Sequence, residues 1–242
     1  AKGGVDQLGL DALAVDLADA GDRIVGGFRH VGPAGAAVAE VVSVGVVRHF
    51  YEGDPDVDES VLVATEQSLK VLEQLGAHLS TVEVGSFDEY CAIARGISWP
   101  EEYAAHRAEL EGYPDRFTAV SRSRLEEGKS VSAADYVGLL RARARLIAAL
   151  ADLTRPYDAL LFPTVAIVAP TFAAVAEDAG FHRLNRLVLR NPSLVNFLDR
   201  CAASLPIAAP GELPVGLMLM GEHGADRQLL AVASRVEAAL AA

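Results

Sequence analysis

The side chains that could perform acid–base or nucleophilic chemistry are scattered along this chain and form no recognisable motif. The six histidines include no HExxH sequence and no pair four residues apart, so a zinc site is not predicted. No GxSxG sequence is present to anchor a Ser–His–Asp triad. Lys129 and Ser130 are neighbours in a predicted exposed turn, where two such side chains rarely converge on one substrate atom. We therefore expect no metal and no cofactor.

Composition narrows the class of partner. The chain of 242 residues carries a formal charge of −12, from 33 acidic against 21 basic residues. Such a surface repels phosphate backbones, so a nucleic acid partner is not expected. Arg141, Arg143 and Arg145 stand at alternate positions, which spreads them around a helix and predicts a solvated, ion-paired face.

Cysteine usage and hydropathy predict a cytoplasmic protein with no membrane partner. Cys91 and Cys201 lie far apart without CxxC spacing, as in reduced intracellular proteins. The apolar stretch 31–47 is interrupted by Pro33 and Glu40, so it falls short of the roughly 18 residues that a membrane helix needs. The N-terminus also lacks the charged-then-apolar layout of a secretory signal.

The last third of the chain has the clearest element pattern. Apolar runs at 205–208 and 215–220 flank Pro210-Gly211 and predict a hairpin or two adjacent buried strands. Residues 157–164 predict another buried strand, ended by Pro163. After Gly224, apolar residues at three- and four-residue steps predict a helix whose buried face carries Leu229, Leu230, Ala233, Val236 and Leu240.

The preceding part predicts a parallel strand pair and several helices. A strand at 42–47, an amphipathic helix at 57–75 ending at Gly76 and a strand at 77–84 form a βαβ unit. Capping patterns then predict three helices, which begin at Ser86, at Pro100 and at Ser132. Upstream, 8–24 predicts a helix and the Gly/Ala-rich 32–39 a linker. We therefore divide the chain into 1–42, a helix and linker, and 43–242, an α/β region.

Five blocks of this sequence, in order and spacing, resemble the C-terminal part of amidase-signature hydrolases. The blocks are YDALLFPT at 157–164, AP at 169–170, LRNPSLVNF at 189–197, LPIAAPGELPVGLMLMG at 205–221, and the final helix with Asp226 and Glu237. Five ordered blocks are far more specific than one motif. The resemblance extends over about 43–240 and implies an α/β fold with a mixed, mostly parallel sheet flanked by helices.

The resemblance also implies a reaction whose nucleophile this chain lacks. In that family a serine, activated by a second serine and a lysine, attacks an amide or urea carbonyl while backbone amides hold the oxyanion. Those residues lie N-terminal to every block matched here, and no GGSSGG-like loop is present. We therefore expect a portion of a carbon–nitrogen hydrolase that is inactive alone. The alternative is a non-catalytic amidase-like partner or scaffold subunit.

By the same resemblance, this part of the fold contributes side chains to the wall of the substrate pocket. The matching positions are Asn196, Glu102 and His106. The competing interpretation is a local backbone bond for Asn196 and a solvated helix face for the other two. Residues 204–206, Ser-Leu-Pro, resemble the branch that acts on small amides and biuret-like ureas. We expect a small amide substrate and a catalytic half or second subunit as partner, with a homo-oligomer as a further alternative.

Overall fold

The computed structural model describes residues 42–241, so the predicted helix at 8–24 and linker at 32–39 lie outside the described residues. Within 42–241 the strands are β1 (Ser43–Val46), β2 (His78–Thr81), β3 (Ala159–Pro163), β4 (Ala202–Pro206) and β5 (Gly216–Met220). The α-helices are α1 (Glu59–Gln74), α2 (Phe87–Gly112), α3 (Ala119–Lys129), α4 (Ala133–Thr154), α5 (Asp178–Phe197) and α6 (Asp226–Leu240). Short 3₁₀ helices cover Arg48–Phe50, Pro114–Arg116 and Phe172–Val175.

The five strands form one mixed sheet in the order β2-β1-β3-β5-β4. Strand β1 runs parallel to β2 and β3, whereas β5 runs antiparallel to both β3 and β4. Four strands therefore point in one direction and only β5 is reversed. The predicted mixed, mostly parallel sheet with flanking helices is confirmed.

The turn between β4 and β5 shows why the hairpin could be predicted. Glu212 N donates a hydrogen bond of 3.1 Å to Ala209 O, and Gly211 has a φ of +89°. A four-residue turn with proline second and a positive-φ residue third has the type II pattern, in which glycine is favoured at the third position. Pro210-Gly211 therefore helps to reverse the chain between β4 and β5, which pair antiparallel.

Helices of this chain pack on both faces of the sheet. On one face, Leu160, Phe162 and Met218 join a core cluster with side chains of α2, α4 and α5. On the other face, α1 and α6 pack against each other and against the sheet. Strand β5 lies between two neighbours, with Leu217 and Leu219 fully buried. Its all-apolar composition is thus explained by its internal position and requires no neighbouring chain.

The buried face of α6 is rotated slightly from the predicted one. Leu229, Ala233 and Val236 are buried as expected, but Val232 and Ala239 complete the buried face in place of Leu230 and Leu240. Both sets repeat at three- and four-residue steps. Periodicity therefore predicts that the helix has a buried face, but it does not determine which residues border that face.

One predicted helix start, at Pro100, is wrong, and the predicted start at Ser86 is confirmed without its capping bond. Pro100 does not open a new helix, because it lies inside the continuous α2. Helix α3 supports α2 at this point: a Cβ on Gly128 would lie only 2.2 Å from Trp99 O, so the two backbones are in close contact. Ser86 precedes α2 as predicted, but its side chain makes no capping hydrogen bond. The Tyr90 hydroxyl instead donates to the Val84 carbonyl and fixes the entry to the helix.

Candidate functional site

One edge of the sheet collects the ends of four strands. Because β1, β2, β3 and β4 point the same way, their carboxyl ends lie along one edge, which we call the carboxyl edge. In open α/β sheets, ligands bind outside the carboxyl ends of the strands. The connections 47–58, 164–177 and 207–215 leave from this edge, so any site built by the described residues is best sought there.

Arg190 of α5 makes the most buried ion pair at the carboxyl edge. Its Nη1 lies 2.5 Å from Asp54 Oδ2, and its Nη2 donates to Phe50 O at 2.7 Å. The arginine side chain is 12% exposed and its guanidinium lies 5.8 Å from the centre of the Phe87 ring. A desolvated pair of this kind is costly to break, because the remaining charge stays buried without a partner.

Asp54 is held in its charged form by its surroundings. Partial burial alone would raise the pKa of this carboxyl, but hydrogen bonds from Asp56 N and Arg190, with the arginine's charge, outweigh burial. The net result is a pKa of Asp54 below its usual value. The Asp54 carboxylate therefore serves as a fixed negative partner and is poorly suited to act as a general base near pH 7.

Asn191 extends the same connection to the central strand. It is fully buried, and its Nδ2 donates to Pro163 O at 2.7 Å, at the carboxyl end of β3. Its Oδ1 accepts from Arg190 Nε at 3.2 Å. These two consecutive residues thus bind α5 to the segment after β1 and to the end of β3. Sequence reasoning did not identify either residue as functional; the available signal was the adjacent polar pair Arg190-Asn191 in the block LRNPSLVNF.

A cleft of about 230 Å³ opens beside this ion pair. It is lined by His49, Phe50, Asp54, Ser86, Phe87, Asp88 and Arg190. The His49 Nδ1 lies 3.1 Å from Glu83 Oε2, although both ring nitrogens are buried without hydrogen-bond geometry to any described residue. The short distance alone does not make this contact a hydrogen bond, because a hydrogen bond also needs a suitable angle. Since the guanidinium donates to partners within the protein, the cleft does not present a free cation from Arg190.

A pair of hydroxyls forms the second polar feature of the carboxyl edge. Thr164 Oγ1 and Ser204 Oγ lie 2.6 Å apart, one immediately after β3 and the other within β4. Strand β5 runs between them, and the pair meets above Gly216. Ser204 is exposed and Thr164 is half-buried, so this pair can be reached from solvent. The sequence contained no signal that would have paired these two residues.

The structure places the three predicted pocket residues on two helices. Glu102 of α2 lies 3.8 Å from Arg124 of α3, a half-exposed ion pair of small energetic weight. His106, one turn further, is exposed and stands edge-to-face with Phe117 at 6.3 Å. The two therefore share one helix surface beside α3, as their spacing predicts.

Asn196 is separated from that surface. It is exposed in the last turn of α5, and its neighbour Phe197 packs on Tyr90 near the start of α2. Tyr90 precedes Glu102 by about 18 Å along the helix axis, at 1.5 Å per residue. The structure thus brings Glu102 and His106 together but does not bring Asn196 to them.

Residues 42–241 contain neither a cluster suited to a metal ion nor a helix suited to span a membrane. No group of three or more His, Cys, Asp or Glu side chains in this range could hold a metal ion. No helix in the same range is long and apolar enough to cross a bilayer.

Comparison with known proteins identifies the family. The model of the amidase family matches residues 29–230. A 2-amino-5-chloromuconic acid deaminase of Comamonas testosteroni is 29% identical over 211 residues, which cover 85% of this chain and 45% of that protein. An amidase of Pseudomonas putida is 35% identical over 127 residues, or 52% of this chain and 26% of that protein.

Solved structures agree with the sequence matches. A crystal structure of an amidase superimposes with a TM-score of 0.70 and 27% identity, over 81% of this chain and 45% of its own length. An allophanate hydrolase of Kluyveromyces lactis, at a TM-score of 0.68 and 21% identity, shows the same fold. The chain spans about half the length, or less, of the relatives it matches. Since the family match covers most of its residues, the chain belongs to the amidase-signature family.

Proposed function

We propose that this chain is the C-terminal portion of an amidase-type hydrolase that cleaves a carbon–nitrogen bond in a small amide or urea-like substrate. The observation that carries this proposal is the family match over 29–230 combined with a coverage of only 45% of the deaminase's length. The part of the relatives that the chain does not cover would supply the serine nucleophile, its activating residues and the oxyanion site.

The described residues support a nucleophile outside 42–241. Lys70 is exposed on α1, and Lys129 lies at the end of α3. Ser130, the neighbour of Lys129, donates its hydroxyl to Glu127 O at 2.7 Å and so caps the helix end. A serine occupied in this way is a structural residue. We therefore propose that this chain is inactive by itself.

A small substrate is supported by the names of two relatives. The matched proteins include a deaminase acting on 2-amino-5-chloromuconic acid and an allophanate hydrolase. We propose that Asn196, Glu102 and His106 contribute to the wall of the pocket in the assembled enzyme. Glu102 and His106 present one polar surface and Asn196 a second, so the two surfaces would form different parts of that wall.

We further propose that the partner is the catalytic half of the amidase, either as part of a longer polypeptide or as a second subunit. Apolar side chains in connections leaving the carboxyl edge support this partner. Phe172 is 94% exposed in the β3–α5 connection, and Leu213 is 56% exposed in the β4–β5 turn. Strand β4 is the last strand of the sheet, paired only with β5 among the described strands. It exposes Ala202, Ser204 and Pro206. Exposed apolar groups beside an edge strand are typical of a surface that a partner covers.

Native mass spectrometry of material from the source cell tests this proposal. We expect a polypeptide about twice as long, or this chain tightly bound to a second chain. That species should release ammonia from propionamide or biuret. A chain that runs alone at its own mass would contradict the proposed hydrolase and favour the non-catalytic scaffold.

A further inference from the structure

The hydroxyl pair of Thr164 and Ser204 has hydrogen-bonding capacity that the described part of the protein does not use. Within 42–241, the side-chain hydrogen bond recorded for either hydroxyl is the one to the other, at 2.6 Å. Two hydroxyls together offer two donors and four acceptor lone pairs. Their mutual bond consumes one of each, which leaves one O–H donor and three lone pairs for another molecule.

Gly216 makes this pair possible. A Cβ at position 216 would lie 2.5 Å from Ser204 Oγ and 2.7 Å from Thr164 Oγ1, too close for any real contact. Any larger residue there would push the two hydroxyls apart. The space above β5 is thus open because position 216 is glycine, and the two side chains from β3 and β4 meet in that space.

Thr164 is held rigidly before any ligand arrives. Its backbone N–H donates to Gly216 O at 2.8 Å, and the carbonyl just before it, Pro163 O, accepts from the buried Asn191 side chain at 2.7 Å. Bonds on both sides of the Pro163–Thr164 peptide fix the direction of the threonine side chain. A preorganised hydroxyl loses little entropy when it binds a ligand.

We propose that Thr164 and Ser204 form a neutral hydrogen-bonding subsite for the amide or urea group of the substrate; this inference rests on the function proposed above. A primary amide or urea offers both N–H donors and a carbonyl acceptor, which complement the free lone pairs and the free O–H of the pair. A carboxylate would need a cation, but Arg190, at the same edge, is already paired with Asp54. The two hydroxyls are therefore positioning residues for a neutral group.

Kinetics of the assembled enzyme, this chain together with its catalytic half, test the inference. Thr164→Val and Ser204→Ala each remove a hydroxyl, and Thr164→Ser keeps one. With propionamide and biuret as probes, each deletion should raise KM about 5- to 10-fold, as for the loss of one neutral hydrogen bond, with kcat changed less than about twofold. Thr164→Ser should restore KM close to that of the unsubstituted enzyme.

The matched control is Ser123→Ala, which removes an exposed hydroxyl on α3. It should change neither KM nor the melting temperature. If the unsubstituted enzyme hydrolyses the probes and both deletions leave KM unchanged, the subsite is refuted while the hydrolase stands. If Thr164→Val and Ser204→Ala only lower the melting temperature or weaken binding of the catalytic half, the subsite is also refuted. If the unsubstituted enzyme hydrolyses neither probe, the proposed function itself fails and the subsite fails with it.

Discussion

Replacement of Asn191 by alanine tests whether this residue organises the carboxyl edge. The asparagine is fully buried and donates 2.7 Å to Pro163 O, while accepting from Arg190 Nε. Alanine would leave the Pro163 carbonyl without this donor, at a cost of about 1–3 kcal/mol for a buried polar group. It would also remove the acceptor of Arg190 Nε and leave a small cavity. Together we expect a loss of about 2–4 kcal/mol in the free energy of unfolding.

The matched control is Asn196→Ala on the same helix. Asn196 is exposed, so its replacement should change the free energy of unfolding by less than about 0.5 kcal/mol. Urea unfolding followed by circular dichroism measures both variants. For a domain of about 200 residues, the expected loss corresponds to a melting temperature lower by about 4–16 °C. Equal stabilities of the two variants would refute the reasoning, because buried and exposed asparagines would then be equivalent.

Three further perturbations probe the same architecture. Because the pKa of Asp54 is lowered, its carboxylate, bonded by Asp56 N and paired with Arg190, contributes stability above the usual aspartate pKa of about 4. That contribution is lost as pH falls through the lower folded value. Asp54→Asn should therefore be less stable than the unsubstituted protein at pH 7 and lose less stability between pH 4 and 2. Urea unfolding measures both, and an equal loss between pH 4 and 2 in the two proteins would contradict this. Gly45→Ala would place a Cβ 2.4 Å from a Leu160 methyl, so a loss of about 1–3 kcal/mol is expected by calorimetry. Gly138→Ala, at an open position inside α4, should instead stabilise by about 0.5–1 kcal/mol, and a loss there would show that the site is not open.

Elements with local signals could be predicted from the sequence. The β4–β5 hairpin depends on Pro210-Gly211, whose backbone preferences act within four residues. The α4 start at Ser132 is equally local, since its hydroxyl accepts from Asp135 N at 3.1 Å. Helix α1 ends at a left-handed Gly76, with a φ of +93°. In each case neighbouring residues determine the conformation, and the structure agrees with the prediction.

Features that depend on distant residues could not be predicted. Pro100 is a strong local signal for a helix start, but contact between α2 and α3 near Gly128 overrides it. The Arg190–Asp54 pair joins residues 136 positions apart, and the Thr164–Ser204 pair joins residues 40 apart. No periodicity or spacing encodes such pairs. They become visible only once the strand order brings the carboxyl ends together.

The family resemblance located candidate residues without locating a site. Asn196, Glu102 and His106 match family positions, and they remain predictions. The structure places them on two surfaces and draws attention to polar residues elsewhere. Asn191, five residues from Asn196, is the asparagine that is buried and bonded to the sheet. Burial distinguishes Asn191 from Asn196, and a single sequence does not reveal the burial of an individual residue.

Ammonia release from propionamide and biuret, measured for this chain alone and for its assembly with the catalytic half, tests the central claim most directly. The proposed function predicts no hydrolysis by the isolated chain and clear hydrolysis by the assembly, abolished by a reagent that modifies the partner's nucleophilic serine. Hydrolysis by the isolated chain at the rate of the assembly would contradict it, because the nucleophile would then have to lie within these 242 residues.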